Sequence, residues 1–256
     1  MRARVVKVGG NLADDAGWMR AVASALAASA APTVLVHGGG KDVSELQRAL
    51  GIEPEWRDGL RVTTPRVMEV VRMVLSGGVN KRWVAALLDA GVDAVGISGE
   101  DGGLLRGALL HGGALGRTGE VRTVRTKLLD AWLAQGLTPV VSPVTRGADG
   151  EGLNVNADDA AAGVAAAMRA AELLFVSDVP GVKAGGEWIA TLDADGAGAL
   201  LESGEAAGGM RPKLRAAVRA RAGGVARVRI GDVRMLTDDG AGTRIETRRE
   251  AAHAGD

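Results

Sequence analysis

Two lysines and a pair of aspartates stand beside glycine-rich junctions in this chain, a combination suited to handling anions. Lys7-Val8-Gly9-Gly10 closes a short apolar run. In an extended segment Val6 and Val8 share one face and Lys7 takes the other; a cation there is either a solvated edge residue or a site residue. Gly9 and Gly10 permit positive φ and bare their backbone N–H groups, and a few such groups in one turn form a nest for phosphate oxygens. Val36-His37-Gly38-Gly39-Gly40 ends a second apolar run and opens a helical stretch. A junction of that kind aims backbone donors and a helix N-terminus at an anion. Two glycine loops after successive strands favour phosphate handling more than either loop does alone. His37 reads as structural, because no metal-ligand spacing accompanies it. The chain has no GxxxxGK loop followed by Ser or Thr, and no GxGxxG after a strand with an acidic residue placed for a ribose. Phosphate chemistry here needs another scaffold.

Further along, Arg61 lies within Gly59-Leu60-Arg61-Val62-Thr63. A guanidinium is a planar fork that grips a carboxylate through two hydrogen bonds; taken alone, the segment reads as readily as a surface arginine in a hairpin. Asn154-Val155-Asn156-Ala157-Asp158-Asp159 runs from a loop into an alanine-rich helix, with Asn156 a natural N-cap. Adjacent residues cannot share a helix face, so at most one of Asp158 and Asp159 points into a site. Acidic residues in a first turn are also favoured by the helix dipole without any task. Ser177-Asp178-Val179-Pro180-Gly181-Val182 forms a turn after a strand, a usual place to hold a nucleotide. Lys213 falls in the first turn of a helix opening at Met210, where a cation opposes the dipole. A lysine so placed suggests a task. Arg215 and Arg219 follow at one-turn spacing and read as a solvated face.

The elements that must position these groups alternate between strands and helices. Strands are expected over 4–8, 33–36, 93–97, 139–142, 172–176 and 226–230, with a closing strand over 243–246. Helices are expected over 14–28 with Asp14 as cap, 42–50, 65–90 with a break at Gly77-Gly78, 126–135, 156–170 and 210–222. In the helix 42–50, Val43, Leu46 and Leu50 recur at helical spacing. Residues 52–63 read as a hairpin or extended loop, and 102–124 as β-hairpins. The tail after Arg248 is expected to fray. This alternation argues for a parallel sheet with helices on both faces, where ligands sit beyond the carboxyl ends of the strands.

Composition narrows the function classes. At 256 residues the chain suits one large α/β domain or two joined lobes. It has no cysteine, so disulfides and thiolate metal sites are excluded. Lysine plus arginine equals aspartate plus glutamate at 31 each, so no overall charge draws it to nucleic acid or an anionic membrane, and any anion site must be local. No apolar run reaches the roughly 20 residues that span a bilayer, and the first residues lack a signal-peptide pattern. A cytoplasmic protein is expected.

Taken in order, the segments resemble the amino-acid-kinase family over nearly the whole chain. They are KVGG at 7–10, HGGG at 37–40, GLRVT at 59–63, VNK at 79–81, GISGEDGGL at 96–104, NVNAD at 154–158, SDVPGV at 177–182, GGMRPK at 208–213 and GTRI at 242–245. GLRVT together with NVNAD favours the members that act on acetylglutamate. The resemblance implies a three-layer α/β/α sandwich with a central, mainly parallel sheet, forming one domain over 1–256. An acceptor lobe would cover about 1–170 and a nucleotide lobe about 171–248. The implied reaction is ATP-dependent phosphorylation of the side-chain carboxylate of N-acetyl-L-glutamate. By position, Lys7 and Lys213 would flank the moving phosphoryl group and Asp158 would orient both. Gly38 and Gly39 would bind through backbone N–H groups on the acceptor side, and Gly9 and Gly10 on the nucleotide side. Arg61 and Asn154 would hold the substrate α-carboxylate. Ser177, Asp178, Gly181 and Met210 would lie near the nucleotide. Mg²⁺ would arrive on ATP, with no dedicated protein ligand. Arginine-inhibited relatives carry an extra N-terminal helix that joins dimers into hexamers. Lys7 lies too near the first residue for one, so a homodimer with weak or no arginine feedback is expected. A kinase of an aminoadipate or glutamate group on a carrier protein, and a non-catalytic nucleotide sensor, are the alternatives.

Overall fold

The computed structural model describes residues 3–9, 15–29 and 31–246. Strand β1 (Arg4–Val8) lies at the centre and is buried at every position, as a parallel strand covered on both faces must be. Helix α1 (Ala16–Ala27) follows, capped by Asp15, whose carboxylate accepts from the Trp18 N–H at 2.6 Å. The expected cap, Asp14, lies outside the described residues. Strand β2 (Thr33–His37) runs directly into α2 (Gly40–Ala49) through the glycine loop. In α2 the buried face is Val43 and Gln47, while Leu50 is 44 % exposed, so the expected apolar stripe is corrected by a polar residue.

Strands β3 (Trp56–Arg57) and β4 (Leu60–Arg61) form a tight hairpin in which Trp56 pairs with Arg61. Asp58 and Gly59 at its tip both have positive φ, as an Asp-Gly hairpin turn requires. The stretch expected as a helix broken at Gly77-Gly78 is continuous: α3 (Pro65–Val71) widens into a π-helical segment Arg72–Val79 and continues as α4 (Asn80–Asp89). The glycine pair is absorbed by wider hydrogen-bonded turns, a local adjustment such segments often mark. Strand β5 (Ala94–Ser98) follows, then the hairpin β6 (Leu105–Leu109) and β7 (Thr118–Val124), helix α5 (Thr126–Leu133) and strand β8 (Thr138–Ser142). Short strands β9 (Val144–Gly147) and β10 (Gly152–Val155), which the sequence did not announce, close a small barrel with β6 and β7.

Helix α6 (Ala157–Ala167) leads to β11 (Glu172–Val176). Beyond it come β12 (Val182–Ala184), β13 (Glu187–Ile189), β14 (Thr191–Leu192) and α7 (Ala194–Ser203), none of them anticipated. Helix α8 (Met210–Ala222), β15 (Arg227–Gly231) and β16 (Thr243–Ile245) complete the described chain. The main sheet has eight strands in the order β14-β16-β15-β11-β1-β2-β8-β5. It is parallel apart from the antiparallel pairing of β15 with β16. Helices cover both faces, giving the expected three-layer α/β/α sandwich.

Strand periodicity sets where chemistry can occur. Val6 and Val8 pack into the core beneath α1, α3 and α4. Val5 packs into the core beneath α6 and α8. Lys7, two residues on from Val5, therefore faces the α6 and α8 side, at the carboxyl end of the central strand.

Candidate active site

Lys7 meets its partners where that geometry aims it. Its ammonium nitrogen lies 2.8 Å from Asp158 Oδ1, with both side chains only 8 % exposed. Asp158 sits in the first turn of α6, and its N–H donates at 2.8 Å to the carboxamide oxygen of Asn156, the N-cap. Asp159, one residue on, turns away and pairs with Arg219 of α8. A Cβ on Gly9 would lie 2.7 Å from the Lys7 ammonium and crowd it.

Lys213 comes from the first turn of α8 and is also buried. Burial pushes its ammonium down to about 8; the Lys7 charge pushes the same way, while Asp158 and Asp178 oppose. It makes no ion pair within 4 Å among the described residues. Lys7 and Lys213 thus place two ammoniums, opposed by Asp158 and by the exposed Asp178, where little water screens them. That field suits an anion whose charge grows during reaction.

The glycine loop lies alongside. Gly38 donates its N–H to Val8 O at 3.1 Å, tying the loop to β1. Gly38 lines the cavity below while that donor serves the fold. Gly39 has φ +147°, and a Cβ there would lie 2.8 Å from Leu75 Cδ2 and 3.0 Å from Val79 Cγ2. Only glycine fits. Among the described residues nothing accepts from the Gly39 N–H, and α2 begins at once behind it. The first N–H groups of a helix have no partner within it.

The third component is Arg61, 5 % exposed, in the hairpin over the cavity. One guanidinium nitrogen donates to Gly40 O and Ser44 Oγ, both at 2.8 Å, and another to Gln47 Oε1. The Trp56 ring stacks on it at 4.3 Å. All these partners are neutral, and no carboxylate among the described residues pairs with it. Burial, helped by the Arg48 charge, pushes its pKa down to about 10. A buried guanidinium held only by neutral oxygens is incomplete without an anion. Asn154 donates to Thr63 Oγ1 at 3.0 Å, and Thr118 donates to the same oxygen at 3.0 Å.

A cavity of about 330 Å³ joins these parts. Lys7, Gly9, Gly38, Gly39 and Arg61 line it, with Asn154 and Asp158. Gly10 lies outside the described residues. Ser177, Asp178, Gly181, Met210 and Lys213 do not line this cavity. Ser177 is buried and gives its N–H to Gly231 O at 2.8 Å, and a Cβ on Gly181 would lie 2.7 Å from Thr243 Oγ1. Asp178 is exposed, and Met210 packs half-buried against the core.

Sequence reasoning missed Trp56, Gln47, Ser44, Thr63 and Thr118, which build the Arg61 wall. Trp56 was legible as the cross-strand partner of Arg61 once Asp58-Gly59 is read as the turn. Gln47 was legible as a helix position one turn beyond buried Val43. Thr63 and Thr118 meet only through tertiary structure and left no signal.

The sequence profile of the amino acid kinase family matches residues 2–232. This chain belongs to the amino acid kinase family. Among its family relatives, the acetylglutamate kinase of Chloroflexus aurantiacus is 48 % identical over 191 residues, covering 73 % of this chain and 75 % of that protein. The acetylglutamate kinase of Geobacillus stearothermophilus is 42 % identical over 187 residues, covering 73 % and 72 %. Among solved structures, smu.665 from Streptococcus mutans UA159 superposes with TM-score 0.85 at 26 % identity, covering 95 % of this chain and 98 % of that one.

Proposed function

We infer that this amino acid kinase transfers the γ-phosphoryl group of ATP to the side-chain carboxylate of N-acetyl-L-glutamate. The product is N-acetylglutamyl 5-phosphate, an acyl phosphate of arginine and ornithine biosynthesis. The observation that carries the reading is the buried Arg61 without a carboxylate, set in the same cavity as the Lys7–Asp158 pair. That arrangement asks for a molecule bearing two carboxylates: one for the guanidinium, one for the transfer site. Relatives named acetylglutamate kinase, 42–48 % identical over most of the chain, support the same substrate.

The chemistry follows from charge. The acceptor carboxylate is ionised near pH 7, so no general base has to activate it. Two anions must be brought together, and charge spreads over the transferring oxygens, so positioning and electrostatic stabilisation do most of the catalysis. Arg61 and Asn154 hold the substrate α-carboxylate. Gly39 offers its N–H to the reacting end. Lys7 and Lys213 flank the transferring group, with Asp158 orienting both. The carboxyl-terminal lobe, from about 171, takes ATP through the turn at Ser177, Asp178 and Gly181, with Met210 at the start of α8 and Gly9 and Gly10 near the phosphates. The position of that turn just after β11 supports this assignment. Mg²⁺ would arrive on the nucleotide phosphates. The ion would neutralise phosphate charge as the anions meet.

We assign the active form as a cytoplasmic homodimer. Strand β5 is an unpaired edge of the main sheet, and Met73 and Leu88 stand exposed on the neighbouring helices at 55 % and 51 %. An edge of this kind invites pairing. Light scattering behind a sizing column reads the mass; a monomer at micromolar concentration rejects the dimer.

The activity is tested by incubating the protein with MgATP, hydroxylamine and one acceptor at a time, reading acyl-hydroxamate. Strong signal with N-acetylglutamate, and little with glutamate, N-acetylaspartate, aspartate or aminoadipate, is expected. Silence with N-acetylglutamate sinks the assignment.

A further inference from the structure

His37 is the last residue of β2 and has no exposed surface. It does not line the cavity above, and the transfer chemistry does not use it. Burial pushes it down to about 4, so the ring is neutral at any working pH. A neutral imidazole has one N–H and one bare nitrogen, and its neighbours decide which is which.

Asn80, the first residue of α4, is fully buried beside it. Its carboxamide nitrogen lies 2.9 Å from Val140 O and 3.1 Å from His37 Nε2. Its oxygen accepts from the Lys81 ammonium at 3.0 Å. A carbonyl can only accept and an ammonium can only donate, so the amide has one consistent orientation. The nitrogen donates, and His37 Nε2 must be bare. The ring proton is then on Nδ1, which lies 2.9 Å from Gly38 O and donates to it. Gly96 keeps the chain intact, since a Cβ there would sit 2.0 Å from Asn80 Oδ1.

The consequence reaches the cavity through the peptide plane. In a trans peptide the C=O of one residue and the N–H of the next point in opposite directions. The Gly38 carbonyl is drawn toward the buried ring. The Gly39 N–H on the same plane is therefore turned away from the ring. The Gly38 N–H is fixed separately by Val8 O, and Gly39 O by the Val43 N–H at 3.1 Å. His37 thus restrains the one peptide unit of the loop whose donor is left without a partner among the described residues.

We propose that His37 is a positioning residue for phosphoryl transfer: held by Asn80, its Nδ1–H fixes the Gly38–Gly39 peptide so that the Gly39 N–H faces the reacting oxygens. This rests on the reading of that loop as a donor to the acceptor carboxylate and the moving phosphoryl group. The effect belongs to kcat more than to acceptor binding, because Arg61 holds the other end of the substrate.

The first test needs neither substrate nor variant. Ring-nitrogen NMR of the ¹⁵N-labelled wild-type protein should show His37 with its proton on Nδ1 from pH 6 to 8; a proton on Nε2 overturns the proposal. The hydroxamate assay on the same protein tests the activity independently, so the two failures are distinguishable. Two variants then test the consequence. His37→Asn keeps an N–H where Nδ1–H stands, whereas His37→Leu keeps bulk and no donor. The leucine variant should lose on the order of tenfold or more in kcat, within the cost of a misplaced oxyanion donor, with acceptor KM within a few-fold. The asparagine variant should regain most of it. A leucine variant with wild-type kcat, or an asparagine variant no better than leucine at equal folded fraction, overturns the proposal. If the leucine variant does not fold, the comparison of His37→Asn with wild type and the ring NMR decide.

Discussion

The two ends of the acceptor cavity hold buried cations in opposite ways. At the transfer end Lys7 meets a carboxylate, Asp158, at 2.8 Å. At the hairpin end Arg61 meets only neutral partners: a backbone carbonyl, a hydroxyl, a carboxamide and a tryptophan face. Burying a cation without a counter-charge is unfavourable, so the hairpin end stands poised for a ligand with a permanent negative charge. The transfer end already has a counter-ion and needs only to meet charge that appears during reaction. On the proposed function one end binds and the other stabilises a transition state, and kinetics can separate the two.

The largest effect is expected at the transfer end. Lys7→Ala should lower kcat by roughly 10²–10³, the range for losing one preorganised donor to developing charge, while acceptor KM moves little. Folded, saturable enzyme with kcat near wild type would erase the distinction. A smaller effect, of the other kind, is expected at the hairpin. Arg61→Lys keeps the charge but loses the planar fork, so acceptor KM should rise by about 10–100-fold, the worth of a charge-assisted hydrogen bond. A fall in kcat at unchanged KM would assign the hairpin arginine to the transfer step instead.

How far these ends were legible in the sequence differs as well. The transfer end was almost fully readable. Lys7 sits opposite Val6 and Val8 in a period-2 strand, and adjacency alone required Asp158 and Asp159 to diverge, as they do. The main sheet was readable for the same reason, since runs such as ELLFV at 172–176 are buried at every position. The hairpin end was readable in its arginine and, through the Asp58-Gly59 turn and helix spacing, in Trp56 and Gln47. The rest of its support, Thr63 and Thr118 of β7, is brought together by tertiary packing that leaves no local pattern. The short strands β9 and β10 escaped because four residues closing a barrel carry too little periodicity. Helix α7 escaped because ADGAGALLES has glycines where apolar spacing should show. The π-helical segment was misread as a break, since Gly77-Gly78 is a breaker by propensity and tertiary packing overrides it.

Lys213 sharpens the comparison further, because its charge is conditional. With its ammonium at about 8 in the free protein, kcat/KM should fall above pH 8, reaching about tenfold lower by pH 9, since kcat/KM reports the free enzyme. The sign follows from the role: the protonated form attracts phosphate, and raising pH removes it. Bound phosphates favour the charged form, so the alkaline limb in kcat should lie at higher pH than that in kcat/KM. Lys213→Arg, which cannot lose its charge in this range, should abolish the limb even if it is slower. An unchanged limb in that variant would assign the titration to another group.

The smallest effect is expected one residue from the transfer end. Asp159 has the same charge as Asp158, the same helical turn and a direct contact with a cation, Arg219. What differs is water: Arg219 is 57 % exposed, whereas Lys7 is 8 % exposed. An exposed pair gains about 0–1 kcal/mol and is screened by salt. Arg219→Ala should therefore lower stability by at most about 1 kcal/mol, less at high salt, with kcat and both KM values unchanged. Burying desolvation does raise the Asp159 carboxyl above its ordinary range, with Arg219 opposing, so losing the arginine should raise it further. The titration of Asp159 by NMR and the unfolding midpoint read the two consequences separately. A kinetic loss in Arg219→Ala comparable to that in Lys7→Ala would show that neighbouring aspartates act as one unit. Independence would show that a single step along the helix, from buried to wet, divides a catalytic charge from a surface one.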